Sequence, residues 1–419
     1  MSNNWEVYTL REISRGKGQY GIAAPGIPYD PNLTRYLRIT DITDDGFLIK
    51  DNKVSVDVNS EQYEKYILKK NDIVFARTGA SAGRSYVYEE EAEPLIVAGF
   101  LIRYALNPEI VNPRFMRYYT ISSNYKGWVA GVATGSTRPN INEKMLSSME
   151  VKLPPLSEQN RIVQIFDSLE HKLKNNNNII ANLEEQAQTI FKSWFVDFEP
   201  FQDEEFVESE VGNIPKSFVV KKLEDISTIQ NGYAFKSNDY IEKGIKVIRT
   251  LNIENNFLNE SNYVYLPSEF HTDNSHLKHQ LNLYDTLLVM VGSTIGKSGM
   301  ILSNDLPSLQ NQNMWRFRAL DKKISPFYIN YIVKKINEEV SGWTSGSARE
   351  FYRKDVFGKQ KIAVPSLVVM ERFNKLTQTL FAQIDILKQE NNLLAKTRDT
   401  LLPKLMSGEI RVEEAIEVE

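Results

Sequence analysis

Apolar residues recur at heptad spacing along two long segments, one in the middle of the chain and one near its end. In the first segment, alternating steps of four and three residues join Ile162, Phe166, Leu169, Leu173, Asn176, Ile180, Leu183, Ala187, Ile190 and Trp194. The second segment has the same steps at Phe373, Thr377, Leu380, Ile384, Leu387, Asn391, Leu394, Arg398, Leu401 and Leu405. This spacing predicts two long helices that pack on each other as a coiled coil, because ordinary core helices seldom keep strict heptads over such a length. Buried Asn176 and Asn391 would fix the register of the pair at some cost in stability.

The sequence also marks where these helices begin and end. Pro154-Pro155 closes the preceding segment, and Ser157 is the predicted N-cap of a first helix over residues 156–196. We expect the second helix over residues 367–406, ended by Ser407-Gly408. At 1.5 Å per residue, the first helix would be roughly 58 Å long, which is the dimension of a spacer.

The segments at 1–155 and 217–366 combine short apolar runs with glycine-containing turns, which is typical of mixed α/β domains. The clearest predicted strands are Ile73–Ala76, Leu95–Ala98 and Leu287–Met290. The acidic segments 197–216 and 407–419 are interpreted as a connector and a tail. The predicted fold class is therefore α+β, with two similar mixed α/β domains separated by two long helices.

The two halves of the chain repeat each other at a nearly constant offset. The most regular matches are Asp72, Gly79, Gly83 and Ser85 with Asp285, Gly292, Gly296 and Ser298, in that order. Leu10–Ser14 also returns as Leu223–Ser227, and Gly127-Trp128 returns as Gly342-Trp343. A unit this large indicates a duplicated module of one domain and one helix, and two similar modules suggest two similar binding events.

Composition excludes several classes of site. The chain has no cysteine, which rules out thiol nucleophiles, disulfides and cysteine-ligated metals. The net charge of the chain is −4, but three acidic stretches, at 89–93, 197–210 and 409–419, carry more negative charge than that. The rest of the chain is therefore net positive and could bind nucleic acid. The N-terminus has no secretion signal, and no run of about 18 apolar residues occurs, so we expect a soluble cytoplasmic protein.

A repeated glycine turn follows a predicted strand in each half, at 79–85 and 292–298. Each copy has three residues between its glycines, whereas a nucleotide-binding P-loop has four, so nucleotide binding is disfavoured. We interpret the turns as loops that offer backbone N–H groups, hydroxyls and a cation to DNA phosphates. The candidate donors are Arg77, Thr78, Ser81, Arg84, Ser293, Thr294 and Lys297. A turn that needs glycine only for its conformation, with a solvated cation, is the alternative.

A second repeated polar element precedes each long helix. Gly135–Asn140 contains Arg138 and Asn140, and Gly346–Arg349 ends in Arg349. Arginine suits guanine or phosphate and asparagine suits adenine, so these residues are candidate DNA contacts, with a purely structural loop as the alternative. His271, His276 and His279 do not have the spacing of a metal site. We find no catalytic or cofactor-binding motif, and we expect no metal or cofactor in this chain.

Three segments resemble the specificity subunit of type I restriction-modification systems. They are Leu153–Gln159 at the start of the first helix, Trp194–Pro200 at its end, and Leu401–Glu409 at the end of the second. The resemblance extends over nearly the whole chain. One departure is Val368–Arg372, which replaces the Ser-Glu-Gln-x-Arg pattern of the first helix and weakens the start of the second without breaking its heptads.

The resemblance implies a non-catalytic DNA-reading subunit, in which two target recognition domains are held apart on an antiparallel pair of helices. It also implies two modification subunits, which use S-adenosylmethionine to methylate adenine, and restriction subunits, which use ATP and magnesium. Because the two domains differ in sequence, the target should be bipartite and asymmetric. A protein-only coiled-coil scaffold and a standalone DNA-modifying enzyme are the alternatives.

Overall fold

The computed structural model describes residues 5–57, 63–89, 93–132, 140–254, 256–260, 263–341 and 352–412. The chain divides into two compact units. The first unit comprises residues 1–173 and 393–419, and the second comprises residues 174–392. Within the described ranges, no helix is long and apolar enough to cross a membrane.

Two of the helices are much longer than the others. The helices are α1 (Pro113–Ile121), α2 (Ser123–Val132), α3 (Glu143–Ser147), α4 (Leu156–Phe195), α5 (Glu269–Thr272), α6 (Pro326–Ser341), α7 (Lys354–Gly358) and α8 (Leu367–Ser407). The long helices α4 and α8 have 40 and 41 residues, so each measures about 60 Å at 1.5 Å per residue. Each of them begins in one unit and ends in the other.

The first unit is built from short strands. They are β1 (Glu6–Thr9), β2 (Gln19–Tyr20), β3 (Ile27–Pro28), β4 (Arg35–Leu37), β5 (Val54–Ser55), β6 (Asp72–Ala76), β7 (Ser85–Val87), β8 (Leu95–Val97), β9 (Leu101–Ala105) and β10 (Glu150–Leu153). One sheet has the order β2-β9-β6-β7 and another β3-β5-β4-β8, while β1 pairs with β10. Strands β4 and β8 run parallel.

The second unit contains the remaining strands. They are β11 (Phe206–Ser209), β12 (Gly212–Pro215), β13 (Val219–Lys222), β14 (Ser227–Asn231), β15 (Ile245–Ile248), β16 (Ile253–Glu254), β17 (Phe257–Leu258), β18 (Val264–Leu266), β19 (Thr286–Val289), β20 (Ser298–Met300), β21 (Ser308–Gln310), β22 (Met314–Ala319) and β23 (Lys361–Val364). The sheet order β14-β22-β19-β20, the β13–β23 pair and the parallel β15–β21 pair repeat the first unit's topology. The duplication predicted from sequence is therefore present in the strand connections.

The two long helices pack antiparallel. In the second unit, Asn176 near the middle of α4 bonds to Asn391 of α8, whereas the ring of Phe195 at the end of α4 lies 4.8 Å from that of Phe373 near the start of α8. In the first unit, Phe166 of α4 shares a buried apolar cluster with Leu405 near the end of α8. The predicted seam residues are buried or half-buried throughout. The predicted fold class is confirmed.

Each domain is attached to the long helices by its own helix. In the first unit, Arg117 of α1 pairs with Glu170 of α4 at 2.8 Å, and Tyr118 donates to Asp167 at 2.8 Å. In the second unit, Phe327 of α6 stacks on Phe381 of α8 with ring centroids 4.6 Å apart, and Lys334 of α6 pairs with Glu184 of α4 at 3.7 Å. The first unit also has a ring contact here, since the centroids of Tyr118 and Phe166 lie 4.8 Å apart. Both attachments therefore combine an ion pair with aromatic packing.

The start of α4 differs from the prediction. The helix begins at Leu156, so Ser157 is its second residue and the N-cap prediction is wrong. The carbonyl of Pro155 accepts the amides of Glu158 and Gln159 at 2.9 and 3.0 Å, so Pro155 occupies the capping position through its backbone alone. The predicted stop of α8 is confirmed, because Gly408 takes a left-handed conformation (φ +72°) that favours glycine.

The segment between α4 and the second domain is more than an acidic connector. It forms a hairpin of β11 and β12. Phe201 and Ile214 lie in the main apolar core of the second unit, with 7% and 3% of their surface exposed. The acidic side chains of this segment therefore lie on an ordered, packed element.

Candidate nucleic-acid interface

The two glycine turns have the same backbone conformation. The first connects β6 to β7 and the second connects β19 to β20. Gly79 and Gly83 have φ values of +72° and +89°, and Gly292 and Gly296 have +97° and +84°. These left-handed conformations favour glycine, which explains why both glycines recur in each half.

The hydrogen bonds of the turns also repeat. In the first turn, the amides of Ala82, Gly83 and Arg84 donate to the carbonyls of Gly79, Ala76 and Ser81 at 3.1, 2.8 and 2.9 Å. In the second turn, the amides of Ile295, Gly296 and Lys297 donate to those of Gly292, Val289 and Thr294 at 3.1, 2.9 and 3.1 Å. These amides are used to close a hairpin, so they are not presented to a phosphate as the sequence suggested. Side chains must supply any contact from this part of the turns.

The side chains of the two turns are placed differently. Ser293 and Lys297 are exposed and Thr294 is half-buried, and no described residue forms an ion pair with Lys297. In the first turn, Ser81 is only 8% exposed. Arg84 donates to Asp44 at 2.7 Å and to the carbonyl of Ile42 at 3.1 Å. The second turn is therefore better suited than the first to contact a phosphate directly.

Arg77, Thr78 and Asn140, which are candidates from separate segments, lie together in the structure. Thr78 forms an antiparallel bridge with Asn140, and a guanidinium nitrogen of Arg77 lies 3.4 Å from Asn140 Oδ1. The guanidinium also lies 5.0 Å from the ring centroid of Tyr20, which is an attractive cation–π distance. Sequence reasoning missed Tyr20, because a tyrosine at the end of a strand carries no motif. Arg138 and Arg349 lie outside the described residues.

Two of the three histidines of the second half, His276 and His279, belong to an aromatic cluster. His276 is 7% exposed, and its ring stacks on that of Phe270 at 5.3 Å. The ring of Tyr233 lies 5.4 Å from that of His279. Burial lowers the pKa of His279, so its neutral form is favoured. Among the described residues, no group of three histidine or carboxylate side chains could hold a metal ion.

Comparison with known proteins identifies what kind of chain carries these features. The family model described as the type I restriction modification DNA specificity domain matches it twice, over residues 2–185 and 215–396. The chain belongs to this family. The resemblance to specificity subunits is thereby confirmed, and each match contains one recognition domain with part of a long helix.

Two specificity subunits match this chain over nearly their whole length. The chain is 23% identical over 418 residues to the type I restriction enzyme MjaVIII specificity subunit of Methanocaldococcus jannaschii, covering 98% of this chain and 94% of that one. It is also 23% identical to the HindI specificity subunit of Haemophilus influenzae, covering 97% and 100%. The crystal structure of a type I restriction-modification S subunit from M. genitalium has the same fold, with a TM-score of 0.59, 16% identity and 96% coverage of both chains.

A specificity subunit provides DNA recognition to a type I restriction-modification system and acts together with other subunits of that system. It is not the catalytic component. In this subunit, the polar groups at the ends of the β2-β9-β6-β7 and β14-β22-β19-β20 sheets are the candidate DNA contacts.

Proposed function

We propose that this specificity subunit reads a bipartite, asymmetric DNA target, with one recognition domain on each half. The observation that carries the proposal is the repeated turn, whose backbone hydrogen bonds coincide in the two domains while its side chains differ. A shared backbone favours the same mode of docking on DNA. Because the two domains differ in sequence outside the turns, they should read different base sequences, and the two half-sites should not be related by symmetry.

The long helices would set the spacing of the half-sites. The direct bond between Asn176 and Asn391, at 2.9 Å, is a polar contact within an otherwise largely apolar seam, and such a contact specifies the register of a coiled coil. Two half-sites about one helical turn of DNA apart, roughly 35 Å, would place both domains on the same side of the duplex. The pair of helices would then act as the spacer between the two reading sites.

The proposed contacts follow from exposure and pairing. Lys297 and Ser293 are exposed and Thr294 is half-exposed, so they are suited to phosphates in the second domain. Arg77 and Asn140, with Thr78 beside them, are suited to DNA in the first domain. Arg138 and Arg349 stay in the proposal on sequence alone. We assign Ser81 and Arg84 to the frame of the domain, because one is buried and the other is paired with Asp44.

The subunit would also assemble the complex. We propose that two modification subunits bind it, carry S-adenosylmethionine and methylate adenine, and that restriction subunits then join and use ATP and magnesium. The adenine would be extracted from the duplex by the modification subunits, so the reading domains must tolerate a flipped base. The complex would act on DNA in the cytoplasm.

The test is to assemble the full complex with its modification subunits and map the methylated adenines in DNA. We expect methylation at one bipartite sequence, and binding that weakens as salt rises, because phosphate contacts release counterions. Replacing residues 1–150 with those of a relative should change only one half of the target. A change in both halves would contradict the modular proposal.

The same assay separates the alternatives. A protein-only scaffold predicts that removing both recognition domains leaves DNA binding unchanged. A standalone enzyme predicts that this chain methylates DNA by itself in the presence of S-adenosylmethionine. Either result would overturn the proposal.

A further inference from the structure

The backbone hydrogen bonds at the ends of the β2-β9-β6-β7 and β14-β22-β19-β20 sheets are equivalent beyond the glycine turns as well. The amide of Arg77 donates to Phe100 O at 3.0 Å, and that of Met290 donates to Asn313 O at 3.1 Å. The amides of Ile141 and Tyr352 donate to the carbonyls of Arg77 and Met290 at 2.8 and 2.9 Å. Arg77 and Phe100 therefore occupy the same backbone positions as Met290 and Asn313.

A glycine fixes a third pair of equivalent positions. Gly21 donates its amide to Leu101 O at 3.1 Å, and Gly232 donates to Met314 O at 3.3 Å. A Cβ would lie 2.2 Å from a backbone oxygen of Ala98 at Gly21, and 1.7 Å from that of Asn311 at Gly232. Only glycine allows this approach of two backbone segments. The residues that precede the two glycines, Tyr20 and Asn231, are thereby held at the same point of each sheet.

The side chains on this shared backbone have different chemistry. We call these positions the rim: Tyr20, Arg77 and Phe100 in the first domain, and Asn231, Met290 and Asn313 in the second. Phe100 is 60% exposed and Tyr20 is 41% exposed. Asn231 and Asn313 are exposed, and Arg77 and Met290 are half-buried. One rim is thus aromatic and cationic, whereas the other is mainly amide.

A buried aspartate at the start of a central strand is kept in both sheets. Asp72 lies 3.6 Å from Arg103, and Asp285 lies 2.6 Å from Arg318. The amides of Lys69 and Asn282 donate to these two carboxylates at 2.8 and 2.7 Å. The duplication has therefore kept the aspartate and its backbone bond, whereas its arginine partner has moved: by strand register Arg103 corresponds to Arg316, and Arg318 corresponds to Ala105.

We infer that the rim is the base-reading surface of each domain; this inference rests on the proposed function. A conserved frame with divergent exposed side chains is what two readers of different sequences require. Arginine can donate two hydrogen bonds to the major-groove edge of guanine, asparagine can pair with adenine, and apolar side chains contact the thymine methyl group. The first rim is accordingly suited to a guanine-containing half-site and the second to an adenine-containing one.

The surroundings of Arg77 support this role. Its guanidinium lies against the ring of Tyr20, which restricts the orientation of the planar guanidinium group. Its described side-chain hydrogen bond, to Asn140, is long at 3.4 Å. A guanidinium that is oriented by a ring but only weakly hydrogen-bonded can exchange its bond for one to a base at little cost in free energy. A residue that reads a base needs this property.

The test uses the complete complex with its modification subunits and a DNA library randomised in one half-site at a time. Arg77→Lys keeps the charge and removes the fork, so we expect discrimination at one base pair of one half-site to fall at least fivefold. Asn231→Ala should relax only the other half-site. Lys152→Ala is the matched control, because this exposed lysine lies on β10, in the separate β1–β10 sheet, and it should change neither half.

Thermal unfolding of each variant shows whether it folds. The inference is overturned if folded Arg77→Lys and Asn231→Ala complexes keep wild-type discrimination, or if they lose affinity equally for every sequence, as a phosphate contact would. If the wild-type complex itself shows no sequence-dependent methylation, the proposed function fails instead.

Discussion

Nδ2 of Asn176 lies 2.9 Å from Oδ1 of Asn391, across the seam of the two long helices. Nδ2 of Asn391 in turn donates to Asn177 at 2.9 Å, and Asn176 also donates to Glu390 at 2.7 Å. Asn176 is 1% exposed, so its amide depends on these partners. A polar pair in this position favours one register of the helices over neighbouring ones.

Removing one partner should therefore destabilise the protein. We expect Asn391→Ala to lower the free energy of unfolding by roughly 1–3 kcal/mol, because a buried amide loses an acceptor. Asn176→Leu with Asn391→Leu should recover that stability, since an apolar pair suits the seam. Thermal unfolding measures both, with Asn178→Ala at an exposed position of α4 as the control. Equal transition temperatures for Asn391→Ala and the control would show that the pair contributes nothing.

The attachment of the first domain to α4 should depend on Arg117. This residue is 6% exposed, pairs with Glu170 and lies with its guanidinium 3.9 Å from the ring centroid of Phe47. Arg117→Ala leaves Glu170 without its partner, and we expect a loss of about 3–5 kcal/mol in denaturant unfolding.

Two variants control for this change. Arg353→Ala breaks an exposed pair with Asp355, with side chains 65% and 55% exposed, and should cause no measurable shift. Arg117→Met with Glu170→Leu should cost less than Arg117→Ala, because no charge is left unpaired. The interpretation is wrong if Arg117→Ala and Arg353→Ala unfold at the same denaturant concentration.

Asp305 should make stability depend on pH. Burial raises the pKa of Asp305 to about 6, although Tyr263 donates a hydrogen bond to it at 2.6 Å and the amide of Leu302 donates another at 2.7 Å. The folded state therefore binds a proton that the unfolded state has released between about pH 4 and pH 6. This group's contribution to stability falls as pH rises through that window and is constant above it.

The difference between wild type and Asp305→Asn isolates that contribution. We expect the variant to gain stability relative to wild type between about pH 4 and pH 6, by an amount of the order of a few kcal/mol. Denaturant unfolding at a series of pH values measures the difference. A difference that does not change with pH would mean that Asp305 has an ordinary pKa.

The cations of the two glycine turns should behave differently towards DNA. Lys297 is exposed, so Lys297→Ala should weaken binding by the complex equally for all sequences and reduce the slope of log affinity against log salt by about 0.9. Arg84 is bonded to Asp44 and to the carbonyl of Ile42, so Arg84→Ala should leave that slope unchanged. Binding titrations at several salt concentrations decide this, and identical slopes for the two variants would refute the assignment.

The length of the helices should set the target spacer. Seven residues added to both α4 and α8 preserve the seam, because seven residues are close to two helical turns, and lengthen each helix by about 10 Å. We expect the preferred spacer to grow by roughly three base pairs, at 3.4 Å each. Methylation mapping measures the spacer. An assembled complex that keeps the original spacer would refute the role of the helices as a ruler.

The sequence by itself determined the repeat, the two long helices and the fold class. These features depend on local rules, since heptad spacing requires only that one stripe of a helix be apolar. The left-handed turns at Gly79 and Gly292 likewise require glycine wherever they occur. Requirements of this kind produce residue patterns that can be recognised in the sequence without knowing which residues are in contact.

Only the tertiary structure decided which candidate side chains are available. Ser81 and Arg84 have the composition of phosphate ligands, but one is buried and the other pairs with Asp44, forty residues away. The N-terminus of α4 is capped by the backbone carbonyl of Pro155 and not by Ser157. Tyr20 lies beside Arg77 because two strands that are far apart in sequence, β2 and β6, finish at the same end of one sheet. Burial and ion pairing depend on contacts between residues that are distant in sequence, and such contacts produce no regular spacing that could be recognised.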